Sequence, residues 1–205
     1  MFNKVLLWLQ NKYLFFVFMA LASFFLLFNY NYVVGVNFSE SLPFKFYVIS
    51  KNETGEIKKG DLIAFKYAGS DFFPTGEIMI KYVGGEGFDQ VDVIGQNYYI
   101  KSNTSHQTDL HIGAAKLFSG LEQEKDPLNP LSPQTIPPGK FFVYTPYPHS
   151  FDSRYDHLGL VDSKDIFGKV VFTFGSGNYK VMENGEVIEI GPSQTPSRLK
   201  TGACE

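Results

Sequence analysis

Two serines, one lysine and an acid-base run carry the chemistry open to this chain. The segment Asn37-Phe38-Ser39-Glu40-Ser41-Leu42-Pro43 sets two hydroxyls two residues apart. A serine hydroxyl is a poor nucleophile at neutral pH and needs an adjacent base. Lysine can be that base only when uncharged, so its pKa must fall by roughly 2–3 units from about 10.4, at a cost of about 3–4 kcal/mol. Desolvation by apolar walls does this. Lys81 fits, because Ile78-Met79-Ile80 precede it and Tyr82-Val83 follow. Gly84 and Gly85 then let the chain turn. Two further segments stand out: Lys58-Lys59-Gly60-Asp61 ahead of an apolar strand, and Ser150-Phe151-Asp152-Ser153-Arg154-Tyr155, later followed by Ile166-Phe167-Gly168-Lys169-Val170. Each has an ordinary reading when taken singly: a polar linker, a snorkelling lysine, a turn and an ion-paired loop.

Other elements must bring these residues together. No charged residue occurs from Tyr13 to Ser39, and Leu14 to Phe28 reads LFFVFMALASFFLLF. As a helix, the run continued to Val36 is roughly 36 Å long, enough to cross a hydrocarbon core of about 30 Å. Asn29, Tyr30, Asn31 and Tyr32 suit the interfacial end of such a span. Ala20-Leu21-Ala22 resembles a leader-cleavage pattern, but it lies inside the apolar run instead of after it, which favours an uncleaved anchor. Lys4 and Lys12 precede the span with no acid before it, so the positive-inside rule expects a cytoplasmic N-terminus and an exported remainder. The expected division is a cytoplasmic tip and anchor over 1–36 and an exported domain over 37–205.

The exported part reads as mainly β. Phe46–Ser50, Leu62–Tyr67, Ile78–Val83, Gln90–Ile94, Tyr98–Lys101, Phe141–Thr145 and Lys169–Phe174 are short β-prone runs, most of them bounded by Gly, Pro, Asn or Asp. Asn184-Gly185 between Tyr179–Met182 and Val187–Ile190 predicts a two-residue hairpin. The one expected helix in this part lies near Gly113–Gln123. Residues 102–140 hold a proline-rich stretch and read as an exposed insertion. Residues 191–205 read as a loose tail.

Composition excludes several classes. A net charge of −3 provides no basic surplus for nucleic acid. The single cysteine, Cys204, excludes an internal disulfide framework and a cysteine-built zinc site, and four scattered histidines leave little for any metal. No metal or other cofactor is expected. The mean hydropathy of −0.09 averages an apolar anchor with an acidic domain.

The order and joint presence of the four segments resemble the boxes of bacterial type I signal peptidases, membrane-bound Ser-Lys serine proteases. Ser-Leu-Pro-Phe after Asn37-x-Ser39, and Ser-Phe-Asp-Ser-Arg-Tyr near the end, look most like the conjugative-transfer signal peptidases (TraF type). The resemblance covers about residues 30–100 and 136–174. It implies a signal-peptidase-like β-fold behind one transmembrane helix, in the cytoplasmic membrane with the catalytic domain outside. It implies Ser41 as nucleophile and Lys81 as general base. Ser39 and the backbone N–H of Ser41 would form the oxyanion hole, and Ser150 would orient the lysine. Asp152 and Arg154 match a structural ion pair near the site. The implied partners are the lipid bilayer and an exported precursor, most like a conjugative pilin, whose leader is bound as an added β-strand.

Departures from the type I pattern mark the chain. Thr145-Pro146-Tyr147-Pro148-His149 stands where a Gly-Asp-Asn-Arg stretch is usual. Leu42 replaces the commoner methionine, and Tyr82 follows Lys81 where an arginine is common, which leaves the pairing of Asp152 open. His149 occupies a loop, since Lys81 holds the base position. Whether water or an amine resolves the acyl-enzyme stays open. The alternative is a catalytically silent membrane-anchored assembly protein on the same β scaffold, against which the joint presence of Ser41 and Lys81 argues.

Overall fold

The structure, a computed structural model, describes residues 2–39, 41–52, 56–70, 72–103, 109–115, 128–176, 179–181 and 187–189. It is mainly β behind one N-terminal helix, α1 (Phe2–Asn31). The stretch Lys12–Asn31 is long and apolar enough to cross a membrane, and none of it is buried against the rest of the chain. The helix stops five residues short of the expected Val36. Tyr32–Val36 instead forms strand β1, paired antiparallel with β2 (Phe44–Ser50) from Tyr32↔Ser50 to Val36↔Phe46. The apolar run conceals this boundary, because β-branched Val33, Val34 and Val36 continue its hydropathy while favouring a strand. Polar bonds mark the switch: the Asn29 and Asn31 side chains donate back to the carbonyls of Phe25 and Leu27, and Lys51 donates from Nζ to the Asn29 carbonyl and from its backbone N–H to that of Asn31. Two of the carbonyls that the helix C-terminus leaves open, those of Asn29 and Asn31, are thereby satisfied.

Beyond β2 come β3 (Leu62–Lys66), β4 (Ile78–Gly85), β5 (Gln90–Ile94), β6 (Asn97–Lys101), β7 (Leu110–Ala114), β8 (Gln134–Thr135), β9 (Lys140–Tyr144), β10 (Val161–Asp162) and β11 (Ile166–Ser176). Two sheets result: a seven-stranded one in the order β1-β2-β11-β3-β4-β9-β10, and a four-stranded one in the order β7-β6-β5-β8. Alternation along β3 and β4 feeds two apolar clusters on opposite faces. Ile63, Phe65, Met79 and Val83 join the larger cluster with Val91, Tyr98, Ile100 and Phe142, which ties the two sheets together. Ala64, Leu62, Ile80 and Tyr82 join Leu42, Tyr47 and Ile49 in the smaller one. The large sheet curls: a Cβ placed on Gly35 of β1 would lie 4.0 Å from Ile80 Cδ1 of β4, although three strands separate them in the sheet order. That curl brings the segment after β1 to the lysine of β4.

Several expectations change here. Gly84 and Gly85 make no turn. They end β4 at a bulge, where a Cβ on Gly85 would stand 2.6 Å from Ile136 Cδ1, so close packing is their use. Part of the expected exposed insertion is core: Leu128, Leu131 and Ile136 are buried, the Tyr98 hydroxyl donates to the Leu131 carbonyl at 2.6 Å, and β8 pairs with β5. Its prolines bracket apolar residues that fill the space between the sheets. Of the expected helix, Gly113 and Ala114 close β7 as strand and residues 116–123 lie outside the described residues. Strands β12 (Tyr179–Val181) and β13 (Val187–Glu189) pair antiparallel, while the Asn184-Gly185 turn between them and the tail 191–205 lie outside the described residues.

Candidate active site

Ser39, Ser41, Lys81 and Ser150 line one cavity of about 680 Å³, together with Val36, Leu42, Met79, Ile80, Phe73 and Phe151. Four separate chain segments converge there. Lys81 sits on β4 between Met79 and Val83, on the face that feeds the larger core, and only 5% of it is exposed. A lysine therefore occupies a position whose neighbours two residues away on either side are apolar. Its ammonium lies 2.8 Å from Ser150 Oγ, itself 2% exposed. Burial pushes the Lys81 pKa down to about 8; the Asp152 carboxylate pulls it up and the Arg154 guanidinium pushes it down, and these two smaller effects oppose each other.

Ser41 lies in the short loop between β1 and β2, anchored by Leu42, which is 2% exposed in the smaller cluster. Ser39 Oγ and Ser41 Oγ are 2.8 Å apart. The loop is tied from one side by Asn37: its Nδ2 donates to the carbonyls of Leu42 and Phe44, at 3.1 and 3.0 Å, and its Oδ1 accepts from the backbone N–H and the hydroxyl of Ser39, at 2.9 and 2.8 Å. The Tyr47 hydroxyl also donates to Phe44 O, and burial raises the pKa of that phenol, so it stays protonated. Glu40 lies outside the described residues.

The Ser150–Tyr155 run forms the other wall. Asp152 and Arg154 are 0% and 1% exposed, with Nε donating to Oδ1 at 2.8 Å and Nη2 to Oδ2 at 2.7 Å. The carboxylate also accepts from the backbone N–H of Thr145 and of Arg154. Nη1 and Nη2 also donate to the carbonyls of Ala114 and Tyr147, respectively. Asp152 is thus fully paired without an arginine at position 82; the bidentate fork of Arg154 supplies both bonds. Ser153 holds the same loop to β9, accepting from Val143 N–H at 2.9 Å and donating to Gly159 O at 2.6 Å. His149 is an exposed loop residue at the cavity rim, its ring against Tyr147. Phe72 and Phe73, both half-buried, pack on Phe151 at the edge of the larger cluster.

Sequence reasoning named Asn37 only as a landmark beside Ser39. Its several bonds depend on β1 ending at Val36 and on the chain folding back at Phe44, neither of which the apolar run discloses.

Residues 6–175 match the family model described as signal peptidase, peptidase S26. The chain belongs to this family. It is accordingly a serine peptidase of the class that removes leader peptides from exported precursors, and its apolar helix fits the membrane association that goes with that work. Among solved structures, a signal peptidase I from Enterococcus faecalis V583 matches at 20% identity over 56% of this chain and 96% of that one, with a TM-score of 0.33. No curated protein matches the sequence.

Proposed function

We propose that this peptidase works through a Ser41–Lys81 dyad, from a helix that anchors it in the cytoplasmic membrane with its N-terminus inside and its β domain outside. The observation that carries the reading is Lys81: a nearly fully buried lysine, its pKa lowered to about 8, on the wall of the cavity that Ser41 lines. Neutral Lys81 takes the proton of Ser41 as Ser41 Oγ attacks the scissile carbonyl. The carbonyl oxygen becomes an oxyanion that accepts from the Ser41 backbone N–H and the Ser39 hydroxyl. The Lys81 ammonium, held by Ser150, gives its proton to the leaving amine, which is the new N-terminus of the mature protein. The leader stays esterified to Ser41. A water that loses its proton to Lys81 then releases it. Asp152 and Arg154 support the loop that carries Ser150, and their opposite charges leave Lys81 without a net charged neighbour.

The proposed substrate is a conjugative pilin precursor. Support comes from the residues around the nucleophile and from the Ser150–Tyr155 run, which look most like the conjugative-transfer branch. Cavity walls of Ile80, Met79 and Val36 suit small apolar side chains before the cleaved bond. The test is co-expression with pilin precursors and with ordinary exported precursors. Ser41→Ala and Lys81→Ala are each expected to abolish processing while the protein stays folded in the membrane. Normal processing by either variant contradicts the dyad, and equal processing of every precursor contradicts the pilin assignment.

A further inference from the structure

We propose that Asn37 is the positioning residue of the nucleophile loop, setting both the loop's shape and the aim of the Ser39 hydroxyl; the proposal rests on the dyad reading above. The orientation of the Asn37 amide is determined by its partners. Two backbone carbonyls, of Leu42 and Phe44, can bond only to the NH₂ end. Oδ1 therefore faces Ser39 and accepts from both its backbone N–H and its hydroxyl. One side chain thus grips the chain on both sides of Ser41, and its own backbone N–H donates to Lys45 O at 2.8 Å, which closes the loop.

The proton count gives this grip a chemical consequence. A serine hydroxyl has one proton. When Ser39 donates it to Asn37 Oδ1, the 2.8 Å contact between Ser39 Oγ and Ser41 Oγ is made with the proton of Ser41. In the free enzyme the nucleophile's proton then points at Ser39. As Ser41 loses that proton to Lys81, the Ser39 hydroxyl turns toward the developing oxyanion. Asn37 Oδ1 is not orphaned by the turn, because the Ser39 N–H still donates to it at 2.9 Å. Asn37 touches no reacting atom in this scheme. It holds Ser39 within one bond rotation of its task.

A double-mutant cycle on acylation separates this from mere fold support. The probe is an activated aryl ester, with acylation of Ser41 followed on the full-length protein in detergent, and KM and kcat are measured on a precursor. Ser39→Ala should slow acylation about 10²-fold, as loss of one oxyanion donor does, and Asn37→Ala should slow it by up to about 10²-fold through misplacement. The Ser39→Ala/Asn37→Ala double variant should be close to the slower single variant, because the two residues act as a unit. KM should change by less than about threefold, since a positioning defect acts on the chemical step. Acylation of Asn37→Ala within twofold of wild type, or single effects that multiply in the double variant, would overturn the proposal. If Asn37→Ala does not fold, Asn37→Asp serves: it keeps the acceptor for Ser39, loses the donor to both carbonyls and puts a negative charge beside the oxyanion, so slow acylation is again expected and wild-type acylation overturns. Labelling that persists in Ser41→Ala would instead remove the dyad reading itself, a result distinct from failure of the Asn37 role.

Discussion

A lysine at a core position of a sheet is costly to the fold, and the cost depends on pH. Lys81 has its pKa lowered by burial from 10.5 to about 8. That difference corresponds to about 3 kcal/mol of burial penalty. The sign follows from proton counting: between pH 8 and 10.5 the unfolded chain binds the proton and the folded one does not, so stability rises with pH across that window and the full penalty applies below it. Lys81→Met is therefore expected to raise the Tm at pH 7 by a few degrees while abolishing cleavage. The gain should shrink as pH climbs toward 10, which thermal melts at pH 7 and pH 10 would reveal; equal Tm differences at both pH values would contradict the lowered pKa. Lys81 was legible in the sequence because its apolar flanks lie inside a single strand. Asn37 was not, because its partners are set by where β1 ends and β2 begins.

Elements explain which features the sequence concealed. Strands with polar punctuation, such as β4 and β5, read directly from their residues: Gln90–Ile94 was expected with the same bounds. Strand β1 was hidden because its valines prolong the anchor, and β8 because two residues, Gln134 and Thr135, carry no pattern. Prolines between 127 and 138 argued for exposure, yet Ile136 is wholly buried against Ile100, Phe142 and the backbone of Gly85. Ile136→Ala should thus cost about 2–5 kcal/mol, measured by denaturant unfolding, whereas a loss under about 0.5 kcal/mol, as at exposed sites, would return this stretch to the surface. The Asp152–Arg154 pair belongs at this scale too, since it joins the Ser150 loop to β7 through Ala114.

At the scale of the whole molecule, the helix and the β domain meet at the Asn31–Tyr32 junction, not at Val36. A chain beginning at Tyr32 keeps β1, which pairs with β2 along its full length and leads straight into the loop that carries Ser41. It is expected to fold without membrane and to acylate its serine at close to the full rate. A chain beginning at Asn37 loses that edge strand and should acylate poorly; comparison of the two by circular dichroism and labelling checks this. The most direct test of the dyad follows labelling of full-length protein by an activated ester from pH 6 to 10. Wild-type acylation should increase with pH through a midpoint near 8, be confined to Ser41 by mass spectrometry, and fall at least about 10²-fold in Lys81→Met. Labelling that is independent of pH, or retained in Lys81→Met, would contradict the Ser41–Lys81 mechanism.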